Sequence, residues 1–158
     1  MGITTTAKTQ VSIGTTAPFA TSTAYAADDW TEIANIMDVG EAGSEAEIVT
    51  AKLVDQEFVK KVKGSRDNGT MELVVARDSG DDGYQALVAA EQASAGYNFK
   101  VELNDKPSTG GSPKNSIFYF NAIVASRKNS FNDADSIVQT TFSLAISGAI
   151  IEVPASAT

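Results

Sequence analysis

Residues 74–96, VVARDSGDDGYQALVAAEQASAG, run from an apolar stretch through small and acidic residues into a helical pattern. Asp78, Asp81 and Asp82 cluster here, with Asp67 upstream. Read as a calcium loop starting at Asp78, the segment places Asp82 at position 5 and Gly83 at position 6. Position 3 is then Gly80 and position 12 is Ala89, so two ligands fail, including the bidentate one. Local helix chemistry accounts for the acids instead. From Gly83, the residues Tyr84, Leu87, Val88 and Glu91 fall on one helical stripe. Asp82 is expected at the N-cap, with Gln85 three residues on completing a capping-box arrangement and Asp81 adding charge that the helix dipole favours. Gly96 is expected to stop the helix, giving one helix over about 83–95.

Outward from this step the pattern is mostly strands. WTEIANIMDV (30–39) and EIVTAKLV (47–54) are β-rich runs joined by the acidic, Gly-containing GEAGSEA. TMELVVAR (70–77) precedes the helix. GYNFKVEL (96–103) follows it and alternates, with Tyr97, Phe99, Val101 and Leu103 on one face. SIFYFNAIVAS (116–126) is apolar on both faces, as expected of a strand covered on both sides. SIVQTTFSLAIS (136–147) puts Val138, Thr140, Phe142, Leu144 and Ile146 on one face, and AIIEV (149–153) reads as a final strand before Pro154. Residues 104–115, with two prolines and two glycines, read as an exposed turn, and 154–158 as a short tail.

The totals exclude several functions. At 158 residues the chain suits one domain, and 42% hydrophobic with 20% charged residues suits a globular one. A net charge of −8 disfavours adhesion to nucleic acid or anionic membranes. Cysteine and histidine are both missing from the sequence. Disulfides, thiolate metal sites and serine–histidine hydrolysis are therefore out of reach. No phosphate-binding glycine loop occurs, and no spacing singles out one carboxylate pair for glycoside chemistry. No run approaches the ~20 apolar residues needed to span a bilayer, and no apolar block follows Lys8 to make a secretory signal. The expectation is a soluble non-enzyme without cofactor or metal, made in a cytoplasm.

Residues 1–29 form a Thr/Ala-rich zone in which Lys8 is the sole charge before Asp28. Two readings stand: a disordered tail, or an arm that orders against a neighbouring subunit through Val11, Ile13, Phe19 and Tyr25. On either reading, removing residues 1–27 is expected to leave the remaining domain, 30–153, folded. Charge is also uneven. Lys60, Lys61, Lys63 and Arg66 fall within seven residues, while Asp38, Glu41, Glu45 and Glu47 lie upstream almost without positive charge. Solvated surface and complementary subunit contact both explain this, and both stay open.

From about residue 28 to 153 the layout resembles the tail tube (major tail) proteins of long-tailed, non-contractile bacteriophages. The resemblance rests on WTEIANI, EIVTAKL, a long loop ending in KGSRDNGTMEL, the strand–DSGDDGYQAL–helix step, FKVEL, and the closing SRKNSFNDADSIVQTTFSLAISG. It implies a mainly β, sandwich- or barrel-like domain with one flanking helix, and a structural protein of the virion. It further implies hexameric rings stacked around a tape-measure protein into a tube that the genome traverses, with terminator and baseplate or tail-tip proteins as further partners. The loop 54–69, carrying the basic cluster, is then expected to reach the adjacent ring. Two alternatives remain: the tube of a contractile injection machine, and a ligand-binding β-sandwich. The second is disfavoured by a single tryptophan, Trp30, and by tyrosines mostly at core-like positions.

Overall fold

A computed structural model describes residues 2–158. The alternating apolar runs form strands, and their order follows from which faces need cover. Nine strands and two helices appear along the chain among the described residues: β1 (Gln10–Ile13), α1 (Ser22–Ala26), β2 (Thr31–Ile33), β3 (Ile36–Asp38), β4 (Glu45–Ala51), β5 (Lys60–Asp67), β6 (Thr70–Ala76), α2 (Asp82–Gln92), β7 (Tyr97–Glu102), β8 (Ile117–Ser130) and β9 (Gln139–Val153). Seven strands build one sheet in the order β2-β1-β7-β8-β9-β6-β3, and β4 and β5 stand apart as a two-stranded sheet. Every pairing is antiparallel.

The run 30–39 is not one strand. It breaks at Asn35, which sits at φ +59, a left-handed conformation that asparagine tolerates better than most residues. β2 and β3 then join opposite edges of the sheet. Ile33 and Ile36 are three Cα steps apart, so those edges lie within about 11 Å of each other. The sheet must roll up to allow this, which makes the domain barrel-like.

The core fills the roll. Leu73, Phe142 and Leu144 from β6 and β9 and Phe99 and Phe120 from β7 and β8 are all buried, and Phe99 stacks on Phe120 at 5.7 Å. Of the face expected over 136–147, Thr140, Phe142, Leu144 and Ile146 are buried, whereas Val138 lies before β9 and is half-buried. From α2, Tyr84, Leu87 and Ala90 complete the cluster. Gly83 is required where α2 enters. A Cβ there would lie 2.3 Å from the Glu32 carbonyl oxygen, inside any tolerable contact.

The helix begins one residue earlier than expected. Asp81, not Asp82, is the N-cap, and its Oδ2 accepts from the Tyr84 N–H at 3.0 Å and from the Ala34 N–H at 3.1 Å. That second bond explains the shift, because Asp81 also ties the helix to the turn between β2 and β3. Asp82 instead occupies the first turn, where its charge suits the dipole. Gln85 does not close a capping box; its Nε2 donates to the Ser79 carbonyl at 2.7 Å. Gly96 is not the stop either. The helix ends at Ala93 in extended geometry, and Gly96 lies against Asn121, where a Cβ would clash.

Two further differences concern strand length. The expected strands 136–147 and 149–153 are one strand, β9, which begins at Gln139 and runs through Gly148 at φ +82, and its pairing with β8 shifts register between Tyr119 and Asn121. The expected loop 54–69 is largely strand: only residues 52–59 connect β4 to β5.

The N-terminal zone is part of the barrel. β1 lies between β2 and β7, and Val11 and Ile13 are buried. These two side chains, expected to anchor an arm on a neighbour, pack instead into the protein's own core. The segment after β1 is pinned too. Buried Asn98 donates through Nδ2 to the Ala17 carbonyl at 2.7 Å and to Asp28 Oδ2 at 3.0 Å, and Thr15 donates to Asp28 through both N–H and hydroxyl. Burial works to raise the Asp28 carboxyl, but the hydrogen bonds from Asn98, Thr15 and Asp29 outweigh it and hold the group below the ordinary aspartate range. At the chain's other end, Ser112 and Ser156 bond the tail 154–158 to the loop 104–115.

Candidate assembly surfaces

Among the described residues, the β4–β5 hairpin holds most of the large apolar side chains that the core leaves uncovered. Ile48, Val49 and Val62 on its strands, and Leu53, Val54, Phe58 and Val59 at its tip, are exposed. Val49 pairs directly with Val62, and Ile48 with Lys63. A two-stranded sheet alone is at best marginally stable in water. Apolar side chains on both strands of an isolated ribbon therefore mark a surface that gains stability when something covers it.

The basic cluster lies on this ribbon. Lys60, Lys61 and Lys63 are on β5 opposite Ala51, Thr50 and Ile48, and Arg66 is opposite Ala46. All four are exposed. The expected acidic partners are divided by the fold. Glu45 and Glu47 share the hairpin, Glu45 lying opposite Asp67 rather than a base. Asp38 ends β3, where its Oδ1 accepts from the Gly40 N–H at 2.8 Å, and Glu41 is exposed in the connection to β4. Within one subunit, the structure does not bring the acidic and basic segments together as two facing patches.

Phe19 and Tyr25, the other arm residues, form an aromatic stack on the outside of β8. Tyr25 lies parallel to Tyr119 at 5.3 Å and Phe19 meets Tyr25 edge-on at 5.3 Å. Trp30 donates from Nε1 to the Tyr25 carbonyl at 2.9 Å, and Lys100 sits over its ring at 5.3 Å. This cover explains why β8 is apolar on both faces. Burial, with Glu102 nearby, pushes the Tyr119 hydroxyl up.

A different stretch of sheet faces solvent. Thr70 and Glu72 on β6 are exposed, opposite Ala145 and Ser143 on β9, and Ile123 on β8 lies across from Ala145. This face is built of small and mostly uncharged side chains. The sequence pattern showed alternation in the β9 segment but had β8 covered on both sides, whereas Ile123 is exposed.

Sequence reasoning missed a cleft of about 710 Å³ beside the hairpin's base. Met71, Val101, Leu103, Phe118 and Ile146 form its apolar floor, and Thr9, Arg66, Asp67 and Glu152 stand in its walls. Among the described residues, Thr9 Oγ1 is a buried side-chain polar atom without a hydrogen-bond partner. The cleft is assembled from five strands, so no local pattern could have announced it. Among the described residues no group of three or more acidic side chains could hold a metal, and no helix is long and apolar enough to cross a membrane.

A rolled antiparallel barrel with one helix packed on its flank and a projecting apolar ribbon places the molecule in a known structural class. It superposes on a chain of the six-fold symmetrised anti-feeding prophage baseplate with TM-score 0.72 and 10% identity, covering 98% of this chain and 97% of that one. It matches the SPP1 tail tube at 0.65 and 16% identity, over 91% and 75% of the two chains. It matches a chain in the sheath/tube terminator structure of an extracellular contractile injection system at 0.65 and 11%, over 97% and 98%. These likenesses show that the chain shares its fold with chains of phage tail and contractile injection system structures. The sequence matches the family model described as phage tail tube protein over residues 1–154, and the chain belongs to that family. It is a structural tail tube protein of the virion. Comparison with curated proteins gives no match.

Proposed function

We propose that the protein forms six-membered rings that stack head to tail into a hollow tube, through which DNA passes without being held. The observation that carries this is the β4–β5 hairpin, whose apolar residues find no cover in their own subunit. A stacked neighbour supplies that cover, and identical head-to-tail contacts repeat along an axis without closing. Six subunits per ring follow the symmetry of the baseplate whose chain shares this fold. The solvent-facing stretch of β6, β9 and β8, with Glu72 and small polar neighbours, is assigned to the bore. A net charge of −8 and few bases there suit a lining that lets phosphates slide past.

Lys60, Lys61, Lys63 and Arg66 are assigned to contacts between rings, with acids including Glu41 of the adjoining ring as partners. Tape-measure, terminator and baseplate or tail-tip proteins are the further partners this role requires. Negative-stain electron microscopy of the purified protein across concentration and salt tests the proposal. Rings and hollow tubes are the expected result; a monodisperse monomer under every condition counts against self-assembly.

A further inference from the structure

We infer that residues 6–9 are a hinged strap that swings about Lys8 and closes an open seam of the barrel against β3. Among the described residues β3 has β6 as its sole strand neighbour, so its other edge is free. Backbone direction makes that edge usable. The Ala76 N–H donates to the Asn35 carbonyl at 2.8 Å on the β6 side, so Ile36, the next residue, turns its own N–H and carbonyl to the free edge. Across from that edge lies the chain leading into β1. A gap of about 440 Å³ separates the two, lined by residues 6–9 on one side and 36–39 on the other.

The register of β1 leads into this gap. Val11 lies opposite Ile33 on β2, and each step back along β1 meets a step forward on the other strand. Asn35, in its left-handed conformation, takes up one residue there. Thr9 then falls opposite Ile36, Lys8 opposite Met37 and Ala7 opposite Asp38. The faces agree in this pairing. Val11 and Ile13 are buried, so an extended chain puts Thr9 on the same inward side as Ile36, which already packs on the core. The hydrogen bonds agree as well. Gly14 N–H donates to the Asn98 carbonyl at 2.8 Å on the β7 side, and alternation aims the N–H and carbonyl of Thr9 the other way, at β3.

A single residue holds the strap out of the seam. Lys8 stands at φ +64, a conformation that is costly for lysine and free for glycine. The turn it makes is closed by the Thr9 N–H donating to the Thr6 carbonyl at 3.0 Å. Residues 2–8 are exposed, so the swing strips none of their side chains from the core. Returning Lys8 to the β region exchanges that turn for pairing along β3 and sets the lysine stem beside exposed Met37. Thr6, Thr9 and Val39 also stand in the walls of the larger cleft, so the strap sets that cleft's shape too.

The chain has no cysteine of its own, so introduced thiols report without background. In the closed register Lys8 and Met37 form a non-hydrogen-bonded pair with Cα atoms about 4.5 Å apart, close enough for a disulfide. The full-length variant Lys8→Cys/Met37→Cys, oxidised with copper phenanthroline, is expected to run as a monomer on a non-reducing denaturing gel with both thiols consumed. Thiols that stay free in the folded protein overturn the strap. Disulfide-linked dimers overturn it as well, because another copy then fills the seam. Amide hydrogen exchange on single variants is the second measurement. Lys8→Val, which disfavours the turn, is expected to slow exchange at the Ile36 N–H about tenfold relative to Lys8→Gly, which favours it, with wild type between them. Equal exchange in the two variants overturns the hinge.

Discussion

β4 and β6 are both seven-residue strands rich in apolar and β-branched residues, yet they meet opposite fates. In β6, Met71, Leu73 and Val75 are buried against β9, the helix and the opposite wall of the barrel. In β4, Ile48 and Val49 stay about half exposed, at 53% and 49%. The difference is not one of strand propensity. β6 lies between β9 and β3 in a rolled sheet with a filled interior, whereas β4 has β5 for its only strand partner. The barrel's apolar groups stabilise the subunit, and those of the hairpin stabilise what the subunit joins.

That contrast can be broken at several strengths. Deleting residues 1–27 should have the largest effect. It removes β1 from between β2 and β7, opening the sheet and stripping Val11 and Ile13 from the core. Loss of the cooperative thermal transition is expected; a wild-type melt would return the segment to the status of a dispensable arm. Leu87→Asp comes next. It buries a charge with no partner at the helix–sheet contact, at a cost above about 4 kcal/mol. Urea denaturation with a midpoint near wild type would show that the helix does not fill the core.

A smaller effect separates the two candidate caps. Asp81→Ala should cost ~1 kcal/mol or more, since its carboxylate serves both Tyr84 and Ala34, while Asp82→Ala costs only a few tenths. Equal shifts in midpoint would return the cap to the position expected from sequence. Reversing Lys60, Lys61 and Lys63 to Glu should leave the melt within about 0.5 kcal/mol, because all three are exposed on the ribbon. Its expected effect is on tube formation, read by light scattering. Unimpaired assembly would place the basic cluster among solvated surface charges and leave the hairpin's apolar residues as the contact.

Much of this was legible in one dimension. Period-two alternation marked β7 and β9, apolar runs marked β6 and β8, and the acids of DSGDDG were identified as helix punctuation, though the cap proved to be Asp81. The errors share a cause. The 30–39 run looked like one strand because both halves are β-rich; only the closure of the sheet sends them to opposite edges. Residues 54–69 looked like a loop because lysines and glycine interrupt the apolar pattern, yet backbone pairing with β4 makes them strand. The Thr/Ala-rich start looked detachable because it has few large side chains, but the few it has insert between strands distant in sequence.

The sequence alone determined the exclusions and the class: no cysteine or histidine chemistry, an acidic mainly β chain with one capped helix, and the tail tube layout. These depend on residue type and on spacing within a dozen positions, where backbone geometry imposes its own period. Tertiary structure alone decided which apolar residues are core and which are surface, that the N-terminal zone belongs to the barrel, and that a cleft opens beside the hairpin. Those features depend on which strands become neighbours, and pairing across tens of residues leaves no periodic trace in the chain.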